Sequence, residues 1–323
     1  MPADRPAAPL TVDALPTADL RARLRGPGVR LDLGPMVARV RSPLAGFAET
    51  FRLLYGNWPL AGTDQFTDVT CDLRPVWALR HAPHRRVQCL IDGQPTFETQ
   101  APAFAPLLFE WALNLHLANH GLGHKMFHAA VVARGDDALI LPAPSGSGKS
   151  TLAAALVATG RWRLLSDEFA VVGVDDGLLH PLPRPVSLKN DMPRLLRRLD
   201  PQARFAATVP TAHKGPVTLM RPPAASVAMR RRPARARWLV TPRYTPGGDD
   251  TLRPDAPGRA MMGVLEQCFE WGLRGRRDFD LIADLVGGCG CFTLAHGDLD
   301  RAVAAIERMA DATADTTTAE AAA

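Results

Sequence analysis

The segment APSGSGKS at residues 143–150 constrains the fold of this 323-residue chain more than any other feature. It matches the phosphate-binding pattern GxxxxGK[ST] at every position except the first, where Ala143 replaces glycine. Without a Cβ atom at Gly146 and Gly148, successive backbone N–H groups can turn toward an anion. The pattern therefore predicts a loop between a strand and a helix that holds phosphate groups.

Apolar runs on both sides of this segment support the predicted loop. HAAVV (128–132) and ALILP (138–142) are separated by a turn that contains Gly135, which is typical of a β-hairpin leading into the loop. A helical pattern, LAAALVATG, follows and ends at Gly160. The residues expected to bind the nucleotide are Pro144, Ser145, Gly146, Ser147, Gly148, Lys149, Ser150 and Thr151.

Four side chains in and after the loop carry the expected chemistry. Lys149 would reach the β- and γ-phosphates of ATP, and Ser150 would offer its hydroxyl to Mg²⁺. The acidic pair Asp167-Glu168 ends an apolar run soon after the helix, which favours a strand beside the loop. From there one carboxylate can hold Mg²⁺ while the other accepts a proton from an attacking hydroxyl. The alternative for the pair is a surface turn between two strands.

The order and spacing of three segments resemble a known family of kinases. HAAVV, ALILPAPSGSGKST and RLLSDEFAVV are similar to the catalytic core of HPr kinase/phosphorylase, and look closest to the branch called HPr-related kinase A. The resemblance is strong over residues 124–175 and weaker to about residue 312. It implies an α/β fold with a P-loop core of the HPr kinase and phosphoenolpyruvate carboxykinase type, in which an antiparallel hairpin enters the phosphate loop.

The resemblance also implies roles for individual residues. Asp167 matches the family's catalytic base, His128 matches a histidine near the γ-phosphate, and Lys149 matches the loop lysine. Ser150 and Glu168 match positions associated with Mg²⁺. These matches imply an ATP- and Mg²⁺-dependent kinase that transfers the γ-phosphate to a hydroxyl. The expected acceptor is a serine on a small protein or peptide.

Three other functions stay open at this stage. Small-molecule kinases also place carboxylates shortly after a GKST helix, although the arginines of this chain lie in a proline-rich stretch rather than in a lid-like helix. Transporter ATPases share PSGSGKST but also carry an LSGGQ-type signature, which this sequence lacks. A non-catalytic regulator would bind ATP without turning it over.

Changes in composition along the chain predict its organisation. Residues 1–120 are typical of an α+β region without a chemical motif, and residues 121–312 of the nucleotide-binding domain. Within that domain, residues 200–236 are rich in proline and predict irregular structure. Asp298 is expected to cap a last amphipathic helix, and the alanine- and threonine-rich residues 313–323 predict a disordered tail.

Scarce lysines and regularly spaced histidines supply secondary candidates. Only four of the 38 basic residues are lysines. Polar loop segments where a cation could meet the transferring phosphoryl group contain Arg184, Lys189, Asn190 and Lys214. In such segments, a solvated loop residue is at least as common as a residue that contacts the phosphoryl group. Histidines at four-residue intervals would suggest metal ligands on one helix, but glycines interrupt it, so we expect no metal site at His116, His120, His124 and His128.

Composition and charge narrow the expected partners and location. The chain is 46% hydrophobic and 22% charged, with a net charge of +5, which is typical of a globular protein. We expect a cytoplasmic protein without a membrane segment, because the apolar runs are short and the start lacks the apolar core of a signal peptide. Five cysteines without framework spacing fit a reducing compartment, and Cys289 and Cys291 are expected in a buried strand.

The densest run of arginines lies at residues 230–237. No aromatic residues alternate with these arginines, so we expect a solvated loop or an acidic protein partner rather than nucleic acid. The sequence leaves homo-oligomerisation open.

Overall fold

The computed structural model describes residues 9–78, 84–211, 215–269 and 275–321. The chain is a mixed α/β protein that divides into two compact units. Unit 1 contains residues 1–122, 182–193 and 203–231, and unit 2 contains residues 123–181, 194–202 and 232–323. Two segments inside the predicted 121–312 domain are therefore grouped with the N-terminal unit, because their strands pair with one another there and not with the sheet that follows residue 123.

Both units contain helices as well as strands. The helices of the described ranges are α1 (Thr17–Arg25), α2 (Phe47–Tyr55), α3 (Ala105–His120), α4 (Lys149–Ala158), α5 (Met192–Leu199), α6 (Ala224–Ala228), α7 (Pro257–Leu265), α8 (Arg276–Gly287) and α9 (Leu299–Ala321). The strands are β1 (Val29–Asp32), β2 (Val37–Arg41), β3 (Val69–Ala78), β4 (His84–Ile91), β5 (Gln94–Pro95), β6 (His124–Arg134), β7 (Asp137–Pro142), β8 (Arg163–Ser166), β9 (Phe169–Gly173), β10 (Val186–Lys189), β11 (Val209–Thr211), β12 (Gly215–Met220), β13 (Arg235–Tyr244), β14 (Leu252–Pro254) and β15 (Gly290–His296).

Unit 1 contains a five-stranded sheet in the order β1-β2-β3-β4-β5 and a smaller antiparallel sheet in the order β10-β12-β11. Rings of Phe51, Tyr55 and Phe109 pack together between α2 and α3, with centroids 5.1–6.1 Å apart. The small sheet and α6 lie largely within the region predicted to be irregular. Pro210 and Pro216 are paired with each other near the ends of β11 and β12, where a missing N–H costs little.

Unit 2 is built on a seven-stranded sheet in the order β14-β15-β13-β7-β6-β8, with β9 also paired to β6. Strand β13 runs parallel to β7 and β15, whereas β6 runs antiparallel to β7, β8 and β9. The predicted hairpin is confirmed as β6 and β7. Because β6 is flanked on both edges and nearly continuously buried, it forms the centre of the unit.

Helices cover both faces of this sheet. Helix α4 packs against β6, β7 and β8, and its residues from Leu152 to Val157 are all buried. Alternate residues of β6, from Phe127 to Ala133, face the opposite side and pack with Val264 of α7 and Ile282 of α8. The sheet and its helices thereby fix the position of the loop between β7 and α4.

The last helix, α9, extends to Ala321 and includes most of residues 313–323, for which the sequence predicts disorder. Its apolar positions Ala302, Ile306 and Ala310 are buried, so the helix is anchored before it reaches this segment. Alanine has the highest intrinsic helix propensity, which favours continuation of the helix. Among the described residues, no helix is both long enough and apolar enough to span a membrane.

Candidate functional site

The loop between β7 and α4 has the backbone conformation that its glycines permit. Gly146 and Gly148 have φ angles of +96° and +90°, in the left-handed region that residues with a Cβ rarely occupy. Helix α4 begins immediately afterwards at Lys149, and the N–H of Leu152 donates to the Gly148 carbonyl over 2.9 Å. The first N–H groups of α4 therefore point into the loop without an intrahelical acceptor, which favours an anion there.

The eight predicted phosphate-binding residues lie on this loop and the first turn of α4. Pro144, Ser145 and Gly146 are exposed, while Ser147, Gly148, Ser150 and Thr151 are half-buried. Lys149 is 6% exposed. The hydroxyl oxygen of Ser147 is buried and has no hydrogen-bond partner among the residues described. A buried hydroxyl, a lysine and helix N–H groups at one place suit an anionic ligand.

The acidic pair interrupts a strand that runs along β6. Strands β8 and β9 both pair with β6, and Asp167 and Glu168 form the bend between them. Ser166 lies opposite Val131 and Phe169 opposite His128. Since Ala129 of β6 lies opposite Pro142, the last residue of β7, the pair and the start of the phosphate loop lie at the same level along β6. The acidic pair therefore lies in an interrupted strand and not in a free surface turn.

His128 makes its described side-chain contacts with Glu168. Its Nδ1 atom lies 3.0 Å from the Glu168 carbonyl oxygen and 3.5 Å from the carboxylate Oε2. The backbone N–H of His128 donates to the Gln267 carbonyl over 2.8 Å, which fixes this part of β6 from its other edge. Asp167 is 4% exposed. The carboxylates of the pair and the Ser150 hydroxyl are oxygen donors of the kind that Mg²⁺ prefers.

Two aromatic side chains that the sequence analysis did not select lie against the phosphate loop. Strands β7, β13 and β15 are parallel neighbours, so the loop shares an edge of the sheet with Tyr244 and His296, which end β13 and β15. The N–H of Tyr244 donates to the Ser147 carbonyl over 3.0 Å. A Cβ atom placed on Gly148 would lie 2.8 Å from His296 Nε2. The apolar runs at residues 238–244 and 291–296 predict the two strands but not their place beside the loop.

His296 is almost fully enclosed. It is 3% exposed, and its Nε2 atom has no hydrogen-bond partner within the described ranges. Burial lowers the pKa of His296, although the backbone carbonyl of Ser147 and the negative charge of Asp250 oppose that shift. Asp250 is itself buried, and its Oδ1 accepts the N–H groups of Gly297 and Asp298 over 2.8 and 3.0 Å. Asp250 thus anchors the turn that follows His296.

Comparison with known proteins adds no assignment. No family model matches the chain, and no curated protein sequence matches it. The resemblance to HPr kinase therefore rests on the motif and its spacing.

The secondary candidates after the acidic pair belong to unit 1. Arg184 is buried, and its guanidinium contacts the Glu110 carboxylate at 3.0 Å and the Asn114 side chain. Lys189 ends β10, and Asn190 follows it with a φ angle of +54°. The contacts of Arg184 give it a packing role within its own unit. Lys214, together with the neighbouring His213, lies outside the described residues.

The regularly spaced histidines separate into two ring contacts. His116 stacks on His120 with centroids 4.3 Å apart, and His124 packs against His180 with centroids 4.8 Å apart. Across the described parts of the chain, no group of three or more His, Cys, Asp or Glu residues could hold a metal ion.

Arginines of the run at residues 230–237 form ion pairs with aspartates. Arg230 and Arg231 both form ion pairs with Asp32, at 2.7 and 2.9 Å. Arg232 pairs with Asp136 at 2.8 Å. Neutralisation of these guanidinium groups reduces the charge that the run offers to a polyanion.

All five cysteines are free thiols, and burial raises the pKa of Cys289 to about 12, so that this thiol is unreactive at neutral pH.

Proposed function

We propose that the chain is an ATP- and Mg²⁺-dependent kinase with an HPr-kinase-like core, which transfers the γ-phosphate of ATP to a hydroxyl group. One observation carries the proposal. Asp167 and Glu168 interrupt a strand at the level along β6 where β7 enters the phosphate loop. Phosphoryl transfer requires donors for the phosphates and a carboxylate for the attacking hydroxyl, and both are supplied at this edge of the sheet.

Each residue of the site has a role in this proposal. The loop N–H groups and Lys149 hold the phosphates and stabilise the charge on the transferred group. Ser150 and Glu168 would hold Mg²⁺, and the ion would supply positive charge to the phosphate oxygens. Asp167 accepts the proton of the acceptor hydroxyl while its oxygen attacks the γ-phosphorus and the bond to ADP breaks. His128 orients Glu168 through the two contacts of its Nδ1 atom.

The acceptor class comes from the resemblance to HPr kinase, which suggests a serine of a small protein or peptide. The test is incubation of the protein with labelled ATP, Mg²⁺ and a lysate of the source organism. We expect the label to appear on a protein band. Label on a small metabolite would replace the protein acceptor with a small-molecule acceptor. Bound ATP without any labelled product or ADP would show a non-catalytic regulator instead.

Asp167→Asn separates binding from chemistry. The amide cannot accept the hydroxyl proton, so we expect transfer to fall by about 10²–10⁴-fold while the Kd for ATP changes by less than about threefold. Filter-binding assays of label transfer and calorimetric measurement of ATP binding provide the two readouts. Undiminished transfer in this variant contradicts the assigned base.

Lysine variants test the nucleotide site itself. Lys149→Ala is expected to abolish ATP binding, because the loop loses its cation for the β- and γ-phosphates. Lys189→Ala is the matched control, since it removes another lysine, which ends β10 and is not part of the phosphate loop. At an ATP concentration of about 100 times Kd, binding adds about 2.7 kcal/mol to the free energy of unfolding. Thermal unfolding should therefore shift upward with ATP in the wild type and in Lys189→Ala but not in Lys149→Ala.

A further inference from the structure

The imidazole of His296 takes part in none of the proposed kinase steps. The ring lies at the end of β15, directly against the phosphate loop. Its Nε2 atom is 2.8 Å from the position that a Cβ of Gly148 would occupy, and its ring centroid is 5.8 Å from that of Tyr244. The ring therefore fills the space that the missing Gly148 side chain leaves.

The enclosed nitrogen is an unusual feature of this position. His296 is only 3% exposed, and Nε2 has no hydrogen-bond partner among the described residues. The nearby Ser147 carbonyl accepts a hydrogen bond from the N–H of Tyr244 and is also the backbone acceptor that favours the protonated imidazole. A buried polar atom without a partner costs about 1–3 kcal/mol. A ligand that interacts with this nitrogen would recover part of that cost.

We propose that His296 is a proton-dependent binding residue of the phosphate site, which holds an anionic phosphate ligand more tightly when its imidazole is protonated. This inference rests on the proposed nucleotide binding. The inference adds a residue whose affinity for the ligand depends on the ligand's charge. In the sheet order, this residue and the acidic pair lie on opposite sides of β7.

The charges around the ring favour a change of protonation when the ligand binds. Asp250 is the carboxylate that acts on the ring, and Tyr244 is the titratable side chain packed on it. Lys149 is the cation that follows Gly148 along the chain. In the free protein, burial lowers the pKa of His296, so the ring is neutral near pH 7. Bound phosphate adds negative charge beside the ring, which raises its pKa and draws a proton from solvent.

Linkage gives the sign of the pH effect. Because the complex binds one more proton than the free protein, affinity rises as the pH falls. The gain in affinity begins as the pH falls below the pKa of His296 in the complex. It is complete below the lower pKa of His296 in the free protein. ATP has its own ionisation in this range, so the informative quantity is the ratio of Kd values for a variant and the wild type at each pH.

The test is calorimetric titration of the full chain with ATP and Mg²⁺ from about pH 8 to about pH 5.5. For His296→Gln, the ratio of its Kd to the wild-type Kd should be within about twofold at the upper pH and rise as the pH falls, toward a limit of about tenfold for each pKa unit of coupling. His180→Gln is the matched control, because this half-exposed histidine of the same unit pairs with Asp176. Its Kd should follow the wild type at every pH.

A second measurement does not depend on the folding of a variant. The NMR resonance of the His296 Cε1–H group in the wild type should titrate with a pKa at least about one unit higher in the presence of ATP and Mg²⁺ than in their absence. An unchanged His296 pKa, or a Kd ratio that stays constant with pH, overturns the inference and leaves nucleotide binding intact. Failure of the wild type to bind ATP at any pH overturns both the inference and the proposed function.

Discussion

At the scale of single residues, Gly146 and Gly148 have the same backbone requirement but different surroundings. Both have positive φ angles, of +96° and +90°. A Cβ on Gly146 would meet open space, whereas a Cβ on Gly148 would lie 2.8 Å from His296 Nε2. We expect Gly146→Ala to lower the free energy of unfolding by about 1–2 kcal/mol through backbone strain. Gly148→Ala should cost about 1–3 kcal/mol more, because the methyl group overpacks the site.

Urea unfolding of the two variants measures this difference, with Gly146→Ala as the matched control. Combining Gly148→Ala with His296→Ala should remove the steric part of the cost and leave the backbone part. Equal stability of the two single variants would contradict the close contact between Gly148 and His296.

The same scale shows what the sequence could predict about the site. The loop, Lys149 and the acidic pair are local patterns, and hydrophobic spacing was sufficient to place each of them after a strand, although β6 lies between those two strands, β7 and β8. Tyr244 and His296 are brought to the loop by the pairing of β13 with β7 and β15, which joins distant parts of the sequence. No local pattern encodes that strand order, so sequence reasoning missed both residues.

At the scale of secondary-structure elements, a buried ion pair joins β6 to α8. Lys125 Nζ lies 2.8 Å from Asp278 Oδ2, and both side chains are at most 6% exposed. Asp278→Asn removes the negative charge and leaves the lysine charge buried, which should lower the free energy of unfolding by about 3 kcal/mol. Asp280→Asn on the same helix is the control, because its pair with Arg276 at 3.4 Å is solvent-exposed and should contribute less than about 1 kcal/mol.

A double variant distinguishes the cost of removing the negative charge beside Lys125 from simple loss of packing. Lys125→Met combined with Asp278→Leu replaces both charged groups with apolar side chains, so it should be more stable than Asp278→Asn alone. A double variant that is no more stable than Asp278→Asn would show that the pair supports α8 through packing and not through charge. Chemical denaturation of the three variants and the wild type supplies the comparison.

Element prediction succeeded where hydrophobic periodicity was strong and failed where proline obscured it. The β6–β7 hairpin and α4 have long, buried apolar runs, which single out one interpretation. Strands β11 and β12 lie in the region predicted to be irregular and contain Pro210 and Pro216, so their alternation is weak in sequence. These segments become strands because they pair with distant segments, and a short stretch of sequence does not reveal its pairing partner.

At the scale of the whole molecule, buried carboxylates and a buried histidine share one sign of pH dependence. Burial alone would raise the pKa of Asp32 and Asp72, but hydrogen bonds from arginines hold it below the usual 3.8. The stability that these carboxylates provide is therefore full above pH 3.8 and lost as the pH falls through their folded pKa. Burial, together with the neighbouring His120, lowers the pKa of His116 from 6.5. Below that pH the unfolded chain therefore takes up a proton before the folded chain does.

Stability is thus expected to fall in two stages, first below pH 6.5 through the buried histidines and then below pH 3.8 through the carboxylates. Each histidine contributes a slope of at most about 1.4 kcal/mol per pH unit. His116→Phe keeps a ring to stack on His120 and removes the titration, so its thermal midpoint should fall less than that of the wild type between about pH 7.5 and about pH 5.5. Parallel pH profiles of His116→Phe and the wild type would show that this imidazole takes up its proton over the same pH range in the folded and the unfolded chain, contrary to the linkage argument.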